Sequence, residues 1–136
     1  MVNKLKTPFL TVDAIIEVEG GIVIIKRSNP PFGFALPGGF VDYGESLEQA
    51  VTREAKEETG LEITDLKQFH TYSDPRRDPR FHTVGTVFVC QAKGEPRAGD
   101  DAAEAKVVSP AEIKGLEFAF DHRLILRDYL ASLKNK

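Results

Sequence analysis

The sequence has 136 residues, of which 41% are apolar and 29% charged, and its formal net charge is -3 at pH 7. These values are typical of one globular domain, which we expect over residues 1–136. A negative net charge argues against general binding to nucleic acid or to anionic membranes. The single cysteine, Cys90, lies in an apolar run and has no internal partner, and the N-terminal stretch lacks the apolar core of a signal peptide. We therefore expect a cytoplasmic protein.

Hydrophobic patterns and turn residues predict a mixed sheet covered by helices on two faces, which is an α/β (α+β) architecture. The first two strands are predicted over Phe9 to Val18 and Ile22 to Lys26, with a hairpin turn at Glu19-Gly20-Gly21. The other predicted elements are strands at 66–72, 83–92 and 105–109, a short helix at 110–113, and a last helix that Asp121 caps, with Leu124, Ile125, Leu130 and Leu133 at helical spacing and a frayed lysine tail.

A glycine-rich loop that runs into a short helix is the most informative stretch of the chain. Ser46 can cap the start of this helix, Gln49 completes a capping box, and Gly60 supplies the stop. The sequence therefore predicts a helix whose two ends are both well defined.

The apolar stripe of this helix carries carboxylates. At about 100° per residue, Glu54 and Glu58 fall on the same stripe as Leu47 and Val51, and Glu57 lies on its flank. Burying unpaired carboxylates is costly, so a cation is expected among them, and hard oxygen ligands without Cys or His favour Mg²⁺ or Mn²⁺. Such a cation beside a glycine loop suits a phosphate ester or anhydride as substrate. The alternative is a solvated acidic helix.

The spacing of residues 39–61 resembles the Nudix box in every defining position: Gly39, five residues, Glu45, seven residues, then Arg53-Glu54-Ala55-Lys56-Glu57-Glu58-Thr59-Gly60-Leu61. The resemblance implies an α/β/α sandwich with a mixed sheet between helices. It also implies that water attacks a phosphorus of a nucleoside diphosphate that is linked to another moiety.

Residue roles follow from the same resemblance. It implies that Glu57, Glu58 and the Gly39 carbonyl bind the metal, and that Glu54 is a further ligand or orients or deprotonates the water. Gly38 and Gly39 are expected beside the substrate. Arg53 would hold Glu45 or Glu57 in its working conformation, or else would be a plain surface arginine.

A further acid outside the box is common in the family. Asp100, Asp101 and Glu104 are the candidates, and we choose Glu104 as a catalytic residue because it directly precedes the predicted strand at Ala105. The alternative is that this stretch is only a solvated loop.

Substrate-binding candidates lie in two loops. Arg76, Arg77 and Arg80 crowd one loop and can bind phosphate or ribose, unless they pair with the aspartates of the same loop. Arg27 and Phe34 are placed to face the cleft, or else only close their loop. His70 and His122 are expected to have packing roles at a strand and a helix start, and neither is assigned to catalysis.

The position of Pro75, the Asp-Pro loop and Ala119-Phe120-Asp121-His122 resemble the ADP-ribose pyrophosphatase branch of the family. We therefore expect Mg²⁺-dependent hydrolysis of ADP-ribose to AMP and ribose 5-phosphate, by a chain that forms a homodimer as relatives in that branch often do. The alternatives are another Nudix substrate, such as a dinucleoside polyphosphate, a nucleotide sugar or a nucleoside triphosphate, and a non-catalytic module that senses ADP-ribose.

Overall fold

A mixed sheet with helices on both sides forms the protein in a computed structural model, which describes residues 5–99 and 101–135. Its elements are β1 (Phe9–Val18), β2 (Gly21–Arg27), β3 (Phe34–Ala35), β4 (Gly38–Phe40), α1 (Leu47–Thr59), β5 (Thr64–Tyr72), β6 (Thr83–Gln91), β7 (Ala102–Val108), α2 (Pro110–Ile113) and α3 (His122–Lys134). Within the described ranges, no helix combines the length and apolar character needed to cross a bilayer.

The central strand β1 is buried on both faces, which explains its nearly continuous apolar sequence. Its side chains alternate between two cores. Val12 and Ile16 pack in the core that contains Val51 of α1, whereas Ile15 packs in the core that contains Ile125 of α3. The two cores lie on opposite faces of one sheet, so the predicted α/β/α sandwich is confirmed.

Strand pairing opens a cleft at one end of the sheet. β1 runs parallel to β6 along its whole length but pairs with β2 only at Glu17–Ile22 and Val18–Gly21, next to the turn. Farther from the turn the two strands diverge, and β4 pairs with β1 while β3 pairs with β2. The glycines of β4 and the end of β2 therefore face a common gap.

The two short strands β3 and β4 were not predicted. Both are too short to show an alternating pattern, and Pro37 and the two glycines of β4 are unfavourable for strands. These residues are extended because the edges of β1 and β2 are available to pair with them, which is a tertiary effect.

The last helix differs from its prediction in three respects. Asp121 occupies the N-cap position, but its carboxylate does not cap the helix. Leu124 and Leu133 are 38% and 39% exposed, whereas Ile125 and Tyr129 are buried. The helix also continues through Lys134, so this lysine is not part of a frayed tail.

Candidate active site

Helix α1 delivers two acids to the edge of the sheet. Its capping box is present as predicted, with both hydrogen bonds between Ser46 and Gln49, and Gly60 ends it in the left-handed conformation at φ 74°. Ala50, Val51 and Ala55 bury the apolar stripe, and Glu58 on that stripe is only 6% exposed. A helix fixed at both ends and packed in this way cannot rotate its carboxylates into solvent.

The two inward acids contact the β4 glycines. The Gly38 N–H donates to Glu58 Oε1 at 2.8 Å. The Glu54 carboxylate lies so close to Gly39 that a Cβ there would be 2.0 Å from its Oε2. A bare backbone at both positions is what lets the acids reach the cleft.

Burial makes both acids weak. Desolvation raises the pKa of Glu54 to about 7, with Arg53 opposing and Glu57 adding to the rise. Desolvation also raises the pKa of Glu58 to about 8, against the Gly38 hydrogen bond and helped by the nearby Glu54 and Asp13 carboxylates. Two crowded, desolvated carboxyls form a site that favours a cation or protons.

Arg53 organises the outer acids of the same helix. Its Nε and Nη2 donate to the two oxygens of Glu45 at 2.7 and 2.9 Å, which holds the pKa of that carboxyl down at about 2. Nη1 donates to Glu57 at 3.1 Å and lies 3.4 Å from Glu54, and Nη2 also donates to the Phe40 carbonyl. The guanidinium therefore ties the helix to the glycine loop.

The cleft between these acids and the opposite wall has a volume of about 260 Å³. Arg27, Arg80 and Phe120 line the far side, and Asp13 and His122 lie at its base. Acidic groups from α1 thus face two guanidinium groups across a gap that an anionic ligand with a bound cation could fill.

The arginine loop mixes internal pairs with contacts to the cleft. Arg80 forms a two-bond pair with the buried Asp78, and it still lines the cleft. Arg76 pairs with Asp74, and its side chain is 90% exposed. Arg77 is buried and donates through Nε and Nη2 to Asp121 at 2.9 Å each.

The structure brings seven of the predicted site residues into the cleft lining, namely Gly38, Gly39, Glu54, Glu58, Arg27, Arg77 and Arg80. It places the other five outside the lining: Arg53, Glu57, Phe34, Arg76 and Glu104. Phe34 packs in the core beneath α3, with Lys106 4.7 Å from its ring centroid. Glu104 is half exposed on β7 and pairs with Lys106. Asp101 does line the cleft, and Asp100 lies outside the described residues.

The sequence did not assign several cleft residues to the site, among them Asp13, Asp78, Phe120 and His122. Asp13 had a usable signal, because an acid inside an otherwise apolar strand needs a partner. His122 Nε2 is 3.6 Å from Asp13 Oδ2, and its Nδ1 accepts from the Leu36 N–H at 3.0 Å. The histidine is therefore part of the cleft floor as well as the first residue of its helix.

The donor chemistry of the cleft fits a hard divalent cation, but the ligands are not assembled around a point. Over residues 5–99 and 101–135, no three His, Cys, Asp or Glu side chains lie close enough together to hold an ion. Glu57 points to Arg53 and is 41% exposed. A site with all three acids needs Glu57 to leave Arg53.

Comparison with known proteins identifies the class to which this fold and cleft belong. The NUDIX domain matches residues 7–129. The ADP-ribose pyrophosphatase of Methanocaldococcus jannaschii is 48% identical over 126 residues, which cover 90% of this chain and 73% of that protein. The chain belongs to the Nudix family of hydrolases, whose members generally use divalent metal ions.

Two further relatives respond to or bind ADP-ribose. The ADPR responsive transcriptional repressor NtrR of Acinetobacter baylyi is 33% identical over 96% of this chain, which spans only 56% of the repressor. Among solved structures, the NUDIX domain of Shewanella oneidensis NrtR complexed with ADP ribose matches with a TM-score of 0.88 and 28% identity, covering 96% of this chain and 92% of that one.

The paired glycines allow fold and site to be tested separately. In Gly38→Ala the new Cβ would meet the Val12 carbonyl oxygen at 2.1 Å, so we expect a destabilisation of about 1–3 kcal/mol or more in urea unfolding. In Gly39→Ala the Cβ meets only the movable end of Glu54, so stability should change by less than about 1 kcal/mol while hydrolase activity falls at least about tenfold. Equal stability losses in the two variants would contradict the described packing.

The raised pKa values of Glu54 and Glu58 predict how the stability of the metal-free protein varies with pH. Both groups have a higher pKa in the folded chain than the ordinary 4.5, so the stability they add is complete below about pH 4.5 and is lost as the pH rises through about 7 and 8. The melting temperature in EDTA should therefore fall by several degrees between pH 6 and pH 9. Glu58→Gln should remove much of this slope. A wild-type profile that is flat, or that rises with pH, would show that these acids are not buried.

Proposed function

We propose that the protein is a Mg²⁺-dependent ADP-ribose pyrophosphatase that converts ADP-ribose and water to AMP and ribose 5-phosphate, with Mn²⁺ as a possible substitute. The observation that carries the proposal is the cleft that is lined by the partly buried Glu54, the buried Glu58, Arg27 and Arg80. The Nudix family membership and the printed names of relatives that hydrolyse or bind ADP-ribose support it.

In this proposal Glu57, Glu58 and the Gly39 carbonyl would hold the metal, which would neutralise charge at the diphosphate and make a water molecule more acidic. Glu54, which lines the same cleft, would be a further ligand or would orient the attacking water or take its proton. Arg53 keeps Glu45 in place, whereas Glu57 would exchange its hydrogen bond to Arg53 for the metal. Glu104 remains a proposed further acid, and Asp101 competes with it because Asp101 lines the cleft.

Across the cleft, Arg27 and Arg80 are proposed to bind the phosphate and ribose groups of the substrate, with the Gly38 and Gly39 backbone beside them. Arg80 is held by Asp78, so little ordering is needed when it binds an anion. Phe34 and Arg76 are also expected to bind substrate, but both lie outside the cleft lining. Phe34 packs against the core and Arg76 is exposed, so they are weaker candidates than Arg27 and Arg80.

The repressor of Acinetobacter baylyi and the NrtR domain complexed with ADP ribose favour a second candidate, a module that binds ADP-ribose without hydrolysing it. Both candidates predict binding, and only the enzyme predicts turnover. Other Nudix substrates, such as a dinucleoside polyphosphate, a nucleotide sugar or a nucleoside triphosphate, remain the alternatives within catalysis.

We further propose that the chain forms a homodimer in the cytoplasm. The N-terminal part of β1 exposes Phe9 and Leu10 by more than half, which is apolar surface that a second copy could cover, and the free Cys90 is buried and suits a reducing compartment.

A substrate panel with product analysis tests the activity. With Mg²⁺, the wild type should release AMP and ribose 5-phosphate from ADP-ribose faster than it cleaves the other panel members. Glu58→Gln should lower kcat by roughly a hundredfold or more without loss of melting temperature, because the amide can still accept from the Gly38 N–H but has no negative charge to act on the reacting groups. The matched control is Glu48→Gln, an exposed acid on the first turn of the same helix, which should behave as wild type.

Each outcome of the panel assigns a function. Cleavage of another panel member in preference to ADP-ribose would replace the substrate. Tight ADP-ribose binding without products in Mg²⁺ or Mn²⁺ would support the sensor. Full activity of Glu58→Gln would overturn the proposed site.

Light scattering tests the oligomeric state. We expect the mass of two chains at micromolar concentration, and Phe9→Ser should shift the protein towards the mass of one chain because it removes exposed apolar surface. A wild-type mass of one chain over the whole concentration range would refute the dimer.

A further inference from the structure

The segment Phe120 to His122 contacts three different parts of the cleft wall. It precedes and begins α3, and two of its side chains, Phe120 and His122, line the cleft. None of the three has a role in the proposed reaction. The contacts of each residue show what the segment does.

Phe120 has an unfavourable backbone. Its φ is 57°, in the left-handed region that a bulky side chain rarely adopts. Such a conformation persists only where the surroundings fix it, and these positions cluster at functional sites. Asp101, which also lines the cleft, is another of the non-glycine residues with positive φ among those described.

Asp121 fixes the segment on one side. Its carboxylate is at the N-cap of α3, where an aspartate normally caps its own helix, yet both oxygens accept hydrogen bonds from Arg77 instead. Arg77 is buried, and its Nη1 also donates to Thr83 at 2.7 Å. The guanidinium passes over Gly85, where a Cβ would lie 2.9 Å from Nη1. The Arg77–Asp121 ion pair therefore fixes the start of α3 to the arginine loop.

His122 fixes the segment on the other side. Its ring accepts the Leu36 N–H, two residues before the glycine that holds Glu58. Its burial leaves the imidazole no freedom to move. Phe120 is therefore held between the arginine loop and the strand that carries the glycines.

The ring of Phe120 contacts two cations. The guanidinium carbon of Arg27 is 4.8 Å from the ring centroid, and that of Arg80 is 5.2 Å from it. Burial and the nearby Arg80 lower the pKa of Arg27. Arg27 donates through Nε to the Pro31 carbonyl and Arg80 through Nε and Nη2 to Asp78, and over the described residues neither Nη1 has a hydrogen-bond partner. Two guanidinium groups that contact one ring, each with an Nη1 donor that is free within the described part of the chain, are suited to bind an anion together.

We propose that Phe120 is a substrate-positioning residue whose ring, held in place by Asp121 and His122, orients Arg27 and Arg80 so that both can bind phosphate oxygens of the substrate. The inference rests on the proposed function, because it names the part of the same cleft that grips the diphosphate. It adds the aromatic ring and the Asp121–Arg77 pair to the groups that determine affinity.

Replacing the ring tests the proposal. Phe120→Leu keeps an apolar side chain but loses the ring face, so KM for ADP-ribose should rise about five- to thirtyfold while kcat stays within about threefold. Phe120→Tyr keeps the ring and should restore KM to within about twofold of the wild type. Phe32→Leu is the control, since Phe32 is 68% exposed and outside the cleft lining.

Calorimetry with inorganic pyrophosphate in EDTA gives a readout that does not depend on catalysis or on the identity of the nucleoside. The wild type should bind it, and Phe120→Leu should bind it about five- to thirtyfold more weakly. An unchanged affinity and KM in Phe120→Leu, or a loss confined to kcat, would overturn the proposal. If the wild type cleaves a different panel substrate, the proposed ADP-ribose activity fails, but the same variant ratios on that substrate and on pyrophosphate still decide the role of Phe120.

A double-mutant cycle tests whether the Asp121–Arg77 pair acts through Phe120. Asp121→Asn should raise KM in the same direction as Phe120→Leu, and the double variant should be little worse than Phe120→Leu alone, because both changes act through one ring. Asp128→Asn is the matched control on the same helix, since Asp128 accepts from the Tyr72 hydroxyl away from the cleft. Fully additive effects of the two changes would mean that Asp121 acts independently of Phe120 and would overturn this coupling.

Discussion

The burial of two neighbouring carboxylates against bare glycine backbone is the constraint on which the rest of the site depends. Glu54 and Glu58 could be solvated if α1 were free to turn, but its caps and its packed apolar stripe prevent rotation. The folded chain therefore keeps two acids in an unfavourable environment, which a cation or protons relieve. Two neighbouring features follow from this constraint. Glycines at 38 and 39 leave room for the two acids, and Arg53 binds Glu45 outside the cleft.

The sheet explains how acidic and cationic walls come to face each other. β1 and β2 separate after a short pairing, so the strand that supports the glycines and the strand that ends at Arg27 lie on opposite sides of a gap. An antiparallel pair that stayed in register would have closed this space with side chains. The divergence is stabilised because β3 and β4 satisfy the backbone groups that the separation would otherwise leave unpaired.

The helix and its acids could be predicted from sequence because their signals are local: a capping box, a terminal glycine and a periodic stripe. Residues whose placement depends on strand pairing could not. β7 begins at Ala102 instead of Ala105, so Glu104 lies inside a strand, opposite Lys26, and not in a loop at the cleft. His122 meets Leu36 across 86 residues, a contact that no local pattern reveals. Phe34 faces the core because its short strand pairs with β2.

In the arginine loop, internal pairing and access to the cleft are compatible. From sequence, an arginine paired with a neighbouring aspartate counts as a solvated loop residue. In the fold the same motif gives two outcomes: the Asp74–Arg76 pair is exposed, whereas the Asp78–Arg80 pair has a buried carboxylate. A guanidinium held by a buried partner and flanked by aromatic rings has already lost most of its conformational freedom, so an anion that meets it loses little further entropy in binding. Of these two arginines, the one whose partner is buried lines the cleft, and the one whose partner is exposed lies outside the lining.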